Sequence, residues 1–171
     1  LMGSHVGPSP CHITGRQHSM AFRAGVAFWG HMGVEADVRQ LSDEDRQVLY
    51  RAITLHKHHR ELIHGGSFQV VDRPAGEQGW MVLAPDHSEA LAALATLETP
   101  STPFPNRYRF IGLDADRHYK LKLVWPDDLR PLQTNHKDEL SDAHCSGDWL
   151  MSVGLSPPIL QPESLLIYHL N

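Results

Sequence analysis

The segment Met20–Trp29 constrains this chain more than any other. Arg23 is its one charged residue, and the rest, Met20-Ala21-Phe22 and Ala24-Gly25-Val26-Ala27-Phe28-Trp29, is apolar almost all round. A helix of that kind has no face fit for water and has to be covered on several sides by other layers. Ser19 stands where an N-cap belongs, and Gly30 or Gly33 where a helix stops. The spacing therefore predicts a buried helix from Ser19 to Gly30, followed by a short strand over Met32–Val38 that ends in a turn. Before it, residues 1–18 carry Gly3, Gly7, Pro8, Pro10 and Gly15 and read as a loop. Gly3-Ser4-His5 alone is also the pattern of a cloning remnant.

A second helix is predicted from Asp43 to His64. Ser42 caps it, and Asp43, Glu44 and Asp45 place negative charge at its positive N-terminus. Leu49, Ala52, Ile53, His56, Arg60 and Ile63 recur at three- and four-residue spacing and give one broad, mostly apolar face. Lys57, His58, His59, Arg60 and His64 suit the negative end, and Gly65-Gly66 supplies the stop.

Beyond Gly66 the period changes from helical to alternating. Short β-like runs are expected over Ser67–Asp72, Trp80–Ala84, Glu89–Glu98, Tyr108–Leu113, Tyr119–Trp125, Leu150–Val153 and Leu165–Leu170. Tyr119–Trp125 alternates most clearly and sends Lys120 and Lys122 to a solvent face. Ala90–Leu97 suits a helix by propensity, but its strand neighbours favour a strand. Pro100, Pro103 and Pro105 mark a stiff loop. The pattern suggests an antiparallel sandwich or small barrel.

The halves differ in what they can bury. One strand and two apolar-faced helices do not close a core, so residues 1–65 read as part of a larger layer. Strand alternating with amphipathic helix is the arrangement of a (β/α) barrel.

Composition narrows the function classes. A net charge of -5 argues against a protein that grips nucleic-acid phosphates. No apolar run approaches the roughly 20 residues of a membrane span. No signal peptide is visible. The 2 cysteines, Cys11 and Cys145, do not make a disulfide framework, so a reducing, cytoplasmic setting is expected.

An ordered set of short motifs carries a resemblance. Met2-Gly3-Ser4-His5-Val6, His12-Ile13-Thr14-Gly15-Arg16, Ser19-Met20-Ala21-Phe22-Arg23, Gly30-His31-Met32-Gly33-Val34-Glu35 and Leu62-Ile63-His64-Gly65-Gly66 follow one another as at the end of the catalytic domain of family 36 α-galactosidases. Ser146-Gly147-Asp148-Trp149-Leu150, Val153-Gly154-Leu155 and Pro162-Glu163-Ser164 extend the similarity to the C-terminus. It is weakest over Pro100–Asp114.

The resemblance implies an α+β chain. Residues 1–65 would be the last β/α units of a (β/α)8 TIM barrel, and residues 66–171 a C-terminal antiparallel β-sandwich. It implies retaining hydrolysis of terminal α-galactosyl residues in galacto-oligosaccharides, with no cofactor. The partner is an α-galactoside bound by the complete enzyme, assembled as a homo-oligomer, with no nucleic acid and no membrane.

Retaining chemistry uses a carboxylate pair about 5 Å apart. The family's Lys-Trp-Asp-like and Asp-Asn-Thr-Asp-like motifs are absent from this chain. Asp43 and Asp45 cap a helix, Asp114 and Asp116 lie in a turn, and Asp127-Asp128 belongs to the β part. The catalytic residues are therefore expected upstream, and this chain alone is expected to be inactive.

Barrel active sites lie at the C-terminal ends of the strands. Here that end holds the loop Ser4–His18 and the stretch Glu35–Asp37. His5 and Arg16 are the candidate substrate-binding residues. Each suits a sugar hydroxyl or a carboxylate, and the plainer reading is that each holds the loop together. Glu35 and Asp37 share a strand face and suit pairing with Arg39 or Arg16.

Among the 13 histidines, His56 and His59 lie three apart on one helix, with His58 and His64 nearby. That spacing suits zinc, but no His-Glu-x-x-His or Cys-x-x-Cys pattern accompanies it, and no metal site is expected. Trp80, Trp125 and Trp149 would form a sugar-stacking platform if exposed on one sheet face. Sitting in apolar runs, they are expected in the core. A non-catalytic carbohydrate-binding sandwich is the alternative reading. A free-standing domain that joins a partner chain supplying the rest of the barrel is a third.

Overall fold

The structure is a computed structural model, and it describes residues 3–100, 104, 106–129, 132 and 143–171. The chain divides into two compact units, Leu1–His64 and Gly65–Asn171.

The first unit runs β1 (Gly3–Val6), α1 (Met20–Ala27), β2 (His31–Val34) and α2 (Asp43–Gly65). Ser19 caps α1 as its sequence suggests: its Oγ accepts the Phe22 N–H at 3.1 Å. The helix ends earlier than the glycines implied, with Phe28 as C-cap. Met20, Ala24, Ala27, Phe28 and Trp29 are buried, and Val26 is the exposed apolar residue of α1. In α2, Ser42 Oγ accepts the Asp45 N–H at 3.1 Å, and Asp43, Glu44 and Asp45 fill the first turn.

Residues 1–18 are not all loop. Gly3–Val6 is a strand, paired parallel to β2 with His5 opposite Gly33 and Val6 opposite Val34. Its shortness and flanking glycines hid it; Val6 is the one residue of β1 that is fully buried. The second strand is shorter than Met32–Val38 because Val6 O accepts both the Glu35 and Ala36 N–H groups, at 3.0 and 3.3 Å. That fork ends the ladder. Two parallel strands with α1 between them and α2 after them are two successive β/α units.

The second unit holds β3 (Ser67–Val71), β4 (Glu77–Leu83), β5 (Ala90–Thr96), β6 (His118–Trp125), β7 (His144–Ser146), α3 (Gly147–Ser152) and β8 (Ser164–Leu170). They make one 6-stranded sheet in the order β3-β4-β5-β8-β6-β7, antiparallel throughout. Met81, Leu83, Ala92, Leu94, Leu121, Leu166 and Tyr168 of the sheet join Tyr108, Phe110, Leu150, Leu155 and Leu160 in one core. Every residue of β5 is buried, so the alanine-rich run is a strand with both faces covered. Small side chains let other layers approach closely, which overrides its helix propensity.

Two expected strands are something else. Tyr108–Leu113 makes an isolated bridge, Tyr108 with Leu155, closed by reciprocal backbone bonds of 2.8 and 2.9 Å. Its apolar residues fill the core without joining a ladder. Leu150–Val153 lies at the end of α3, a helix capped by Ser146 Oγ accepting the Trp149 N–H at 3.2 Å. Trp125 is buried, while Trp80 and Trp149 are half-buried. They do not form an exposed platform. The loop expected at Pro100–Pro105 lies largely outside the described residues. Among the described residues no helix is long and apolar enough to cross a membrane.

Candidate functional site

The candidate site lies where β1 and β2 end. Ser4 Oγ donates to Ala27 O at 2.6 Å, so Ser4 faces α1. Alternation then puts His5 on the opposite face of the strand. There the imidazole lies over Gly33: a Cβ on residue 33 would come within 2.5 Å of His5 Cδ2. Beyond it stands Glu35, whose Oε1 is 3.7 Å from His5 Nδ1. Both side chains are more than half exposed.

The connection from β1 to α1 is drawn in at its base by Arg23. Its Nη1 donates to Gly7 O and its Nε to His18 O, the latter at 3.2 Å. Ser9 Oγ donates to the same His18 O. One guanidinium thus grips both roots of the connection. At its tip, Cys11 N bonds Arg16 O at 2.9 Å and Gly15 N bonds Cys11 O at 2.8 Å. Gly15 has φ of 69°, a conformation open to glycine. Thr14 hydrogen-bonds the Cys11 thiol and lowers its pKa. Arg16 sits at the end of this turn with its side chain exposed.

Of the residues singled out from sequence, the structure pairs His5 with Glu35 and holds Arg16 in the Cys11–Arg16 turn. Asp37 is engaged elsewhere. It accepts from Arg39 Nε and Nη2, both at 2.9 Å, and from Gln40 Nε2 at 3.1 Å. The Arg39 side chain in first place holds its carboxyl below the usual range. Asp37 is a structural carboxylate, as its spacing from Arg39 suggested.

A cavity of about 320 Å³ opens beside this loop, lined by Ser9, His18, Arg23, Asp37, Gln40 and Asp45 among others. Sequence reasoning missed Arg23 as its organiser. The signal was present: Arg23 is the one charge in an otherwise apolar helix, and a half-buried guanidinium needs carbonyls to satisfy it.

The histidines of α2 spread over different contacts. His56 Nδ1 bonds Phe28 O at 2.9 Å. His64 stacks on His31 at 4.4 Å between centroids and 19° between planes. Burial first, then the neighbouring His31, His56 and Arg60 charges, lower the His64 pKa. Asp43 and Asp45 stand in the first turn of α2, and Asp114 Oδ1 accepts the Asp116 N–H at 3.1 Å.

Residues 1–66 match the Melibiase family, and residues 77–170 match the glycosyl hydrolase family 36 C-terminal domain. An α-galactosidase of Escherichia coli is 35% identical over 179 residues, covering 100% of this chain and 25% of the relative. Alpha-galactosidase 1 of Pediococcus pentosaceus is 28% identical and covers 99% of this chain and 21% of its own length. The chain thus spans a quarter or less of these relatives. The crystal structure of the GH36 α-galactosidase AgaB from Geobacillus stearothermophilus superposes with a TM-score of 0.82 at 26% identity, over 99% of this chain and 21% of that one. A variant of AgaA from the same organism, solved in complex with raffinose, gives 0.83 at 26% identity.

Proposed function

The chain belongs to glycosyl hydrolase family 36, and from that premise we propose that it is the C-terminal portion of an α-galactosidase that hydrolyses terminal α-galactosyl residues of galacto-oligosaccharides. Residues 1–65 are then the last β/α units of a (β/α)8 barrel. Residues 66–171 are the β-sandwich, with the six-stranded sheet as its main layer and the Tyr108–Leu155 pairing at the start of the opposing one. The single observation that carries the barrel reading is the parallel register of β1 with β2 across α1. A related enzyme crystallised with raffinose supports the substrate class.

In this reading both catalytic carboxylates stand on earlier barrel strands. The chain's own part is to close the barrel and to line the sugar site with His5 and Arg16, at the strand ends where barrel enzymes place their chemistry. Each side chain is exposed there and offers polar atoms to a hydroxyl. The enzyme works in the cytoplasm, a setting in keeping with the free thiols Cys11 and Cys145. It assembles as a homo-oligomer. The edge strand β3, with Phe68 and Val70 exposed at 56% and 68%, favours that assembly.

Two measurements test the reading. The purified chain is expected to show no turnover of nitrophenyl α-galactoside. A hybrid in which it replaces the matching quarter of the Escherichia coli relative is expected to be active. Turnover by the isolated chain that a substitution within it abolishes would sink the proposal, as would a folded but inert hybrid.

A further inference from the structure

We propose that Glu35 and His5 form a carboxylate–imidazole dyad in which Glu35 is a positioning residue, presenting His5 Nε2 to a hydroxyl of the bound galactosyl ring. This rests on reading the β1–β2 end as a wall of the sugar site.

Three independent features converge on the pair. The backbone comes first. Ser4 bonds α1 and Val6 is fully buried, which fixes the strand face and sends His5 the other way, out of the helix layer. Register comes second. His5 lies directly across from Gly33, and a Cβ there would meet His5 Cδ2 at 2.5 Å and Nε2 at 3.2 Å. The ring therefore occupies space that only glycine leaves. The carboxylate comes third. Glu35 follows Gly33 by two residues, its N–H is anchored on Val6 O at 3.0 Å, and its Oε1 stands 3.7 Å from Nδ1. A small rotation of the exposed Glu35 side chain brings that gap to hydrogen-bond length.

The chemistry follows from the imidazole. Neutral histidine has one N–H and one lone pair, and the partner of one nitrogen decides the role of the other. A carboxylate at Nδ1 keeps the proton there. Nε2 is left as an acceptor aimed away from Glu35, suited to the O–H of a sugar. Without Glu35 the proton is free to sit on Nε2, and the ring is free to turn.

The test reads the tautomer directly in the full chain. Long-range 1H–15N spectra of the 15N-labelled protein at pH 8 are expected to show His5 protonated on Nδ1. Glu35→Gln weakens and Glu35→Leu abolishes that preference. Gly33→Ala is expected to do the same with Glu35 intact, because the new methyl displaces the ring. An Nε2-protonated His5 in the unaltered chain, or one indifferent to all three changes, would overturn the dyad.

In the active hybrid, Glu35→Gln is expected to raise KM for nitrophenyl α-galactoside about five-fold, the loss of roughly one hydrogen bond, with kcat nearly unchanged. Adding His5→Gln is expected to bring little further loss, since the two residues act as one unit. A tautomer change without a KM change would overturn the sugar contact. An inert hybrid beside a chain with the expected spectra would overturn the enzyme reading and leave the dyad standing.

Discussion

Gly147 packs against the carbonyl of Asp114 so tightly that a Cβ on it would lie 2.0 Å from that oxygen. The same glycine donates its N–H to Arg117 O at 2.8 Å and opens α3 right after β7. Backbone meets backbone here, so neither side yields by changing a rotamer. Gly147→Ala is expected to destabilise the second unit by about 1–3 kcal/mol, the usual cost of an overpacked contact. A urea titration followed by tryptophan fluorescence checks it, and an unchanged midpoint would contradict the contact.

Arg73 is held by an ion pair with Glu77 and donates to Arg107 O at 2.6 Å and Asn106 O at 3.1 Å, with its guanidinium 5.4 Å from the centre of the Tyr108 ring. Its side chain is 3% exposed and that of Glu77 14%. Arg73→Met leaves Glu77 largely buried without its cation, and is expected to lower stability by about 3–5 kcal/mol. The double variant Arg73→Met/Glu77→Leu should recover much of that loss. Thermal unfolding of the three variants decides the matter.

His64 gives the first unit a pH response of definite sign. Its folded pKa lies below the ordinary 6.5, so the neutral ring is favoured on folding. The stabilisation is complete above the unfolded pKa and is lost as the pH falls from there through the folded value. As the pH falls below the unfolded value, the denaturation midpoint is therefore expected to drop less in His64→Gln than in the unaltered chain. A slope the variant leaves intact would assign the effect to other groups.

Arg23 predicts a change in mobility at a distance. Arg23→Met removes the bonds to Gly7 O and His18 O. Faster amide exchange is expected across residues 8–17, with α1 itself little changed. Trypsin should also cut sooner after Arg16. Exchange that stays the same would show that Ser9 and the backbone turn suffice to hold the connection.

Much of this fold was legible because it rests on long, periodic segments. The apolar face and Ser42 cap of α2 read directly, as did the alternation of β6, whose exposed Lys120 and Lys122 flank buried Leu121. Three features escaped for separate reasons. β1 is too short to show a period. Tyr108–Leu113 is apolar because it fills a core, and burial alone does not make a ladder. Leu150–Val153 looks like a strand until Ser146 is seen to cap the turn before it, a signal that Ser146-Gly147-Asp148 did contain. At the candidate site, the likeness to barrel enzymes is what points to His5 and Arg16. Sequence puts Glu35 at the same end but offers it Arg39 or Arg16 as a partner, since its approach to His5 depends on the register of two four-residue strands. Only tertiary structure sets that register.

The grip of Arg23 separates anchorage from content. Because one side chain fastens the connection at its two roots, the residues between are free to change in length and composition while the strand and helix they join stay where they are. A connection fastened this way lets selection rework its residues without re-engineering the frame behind it.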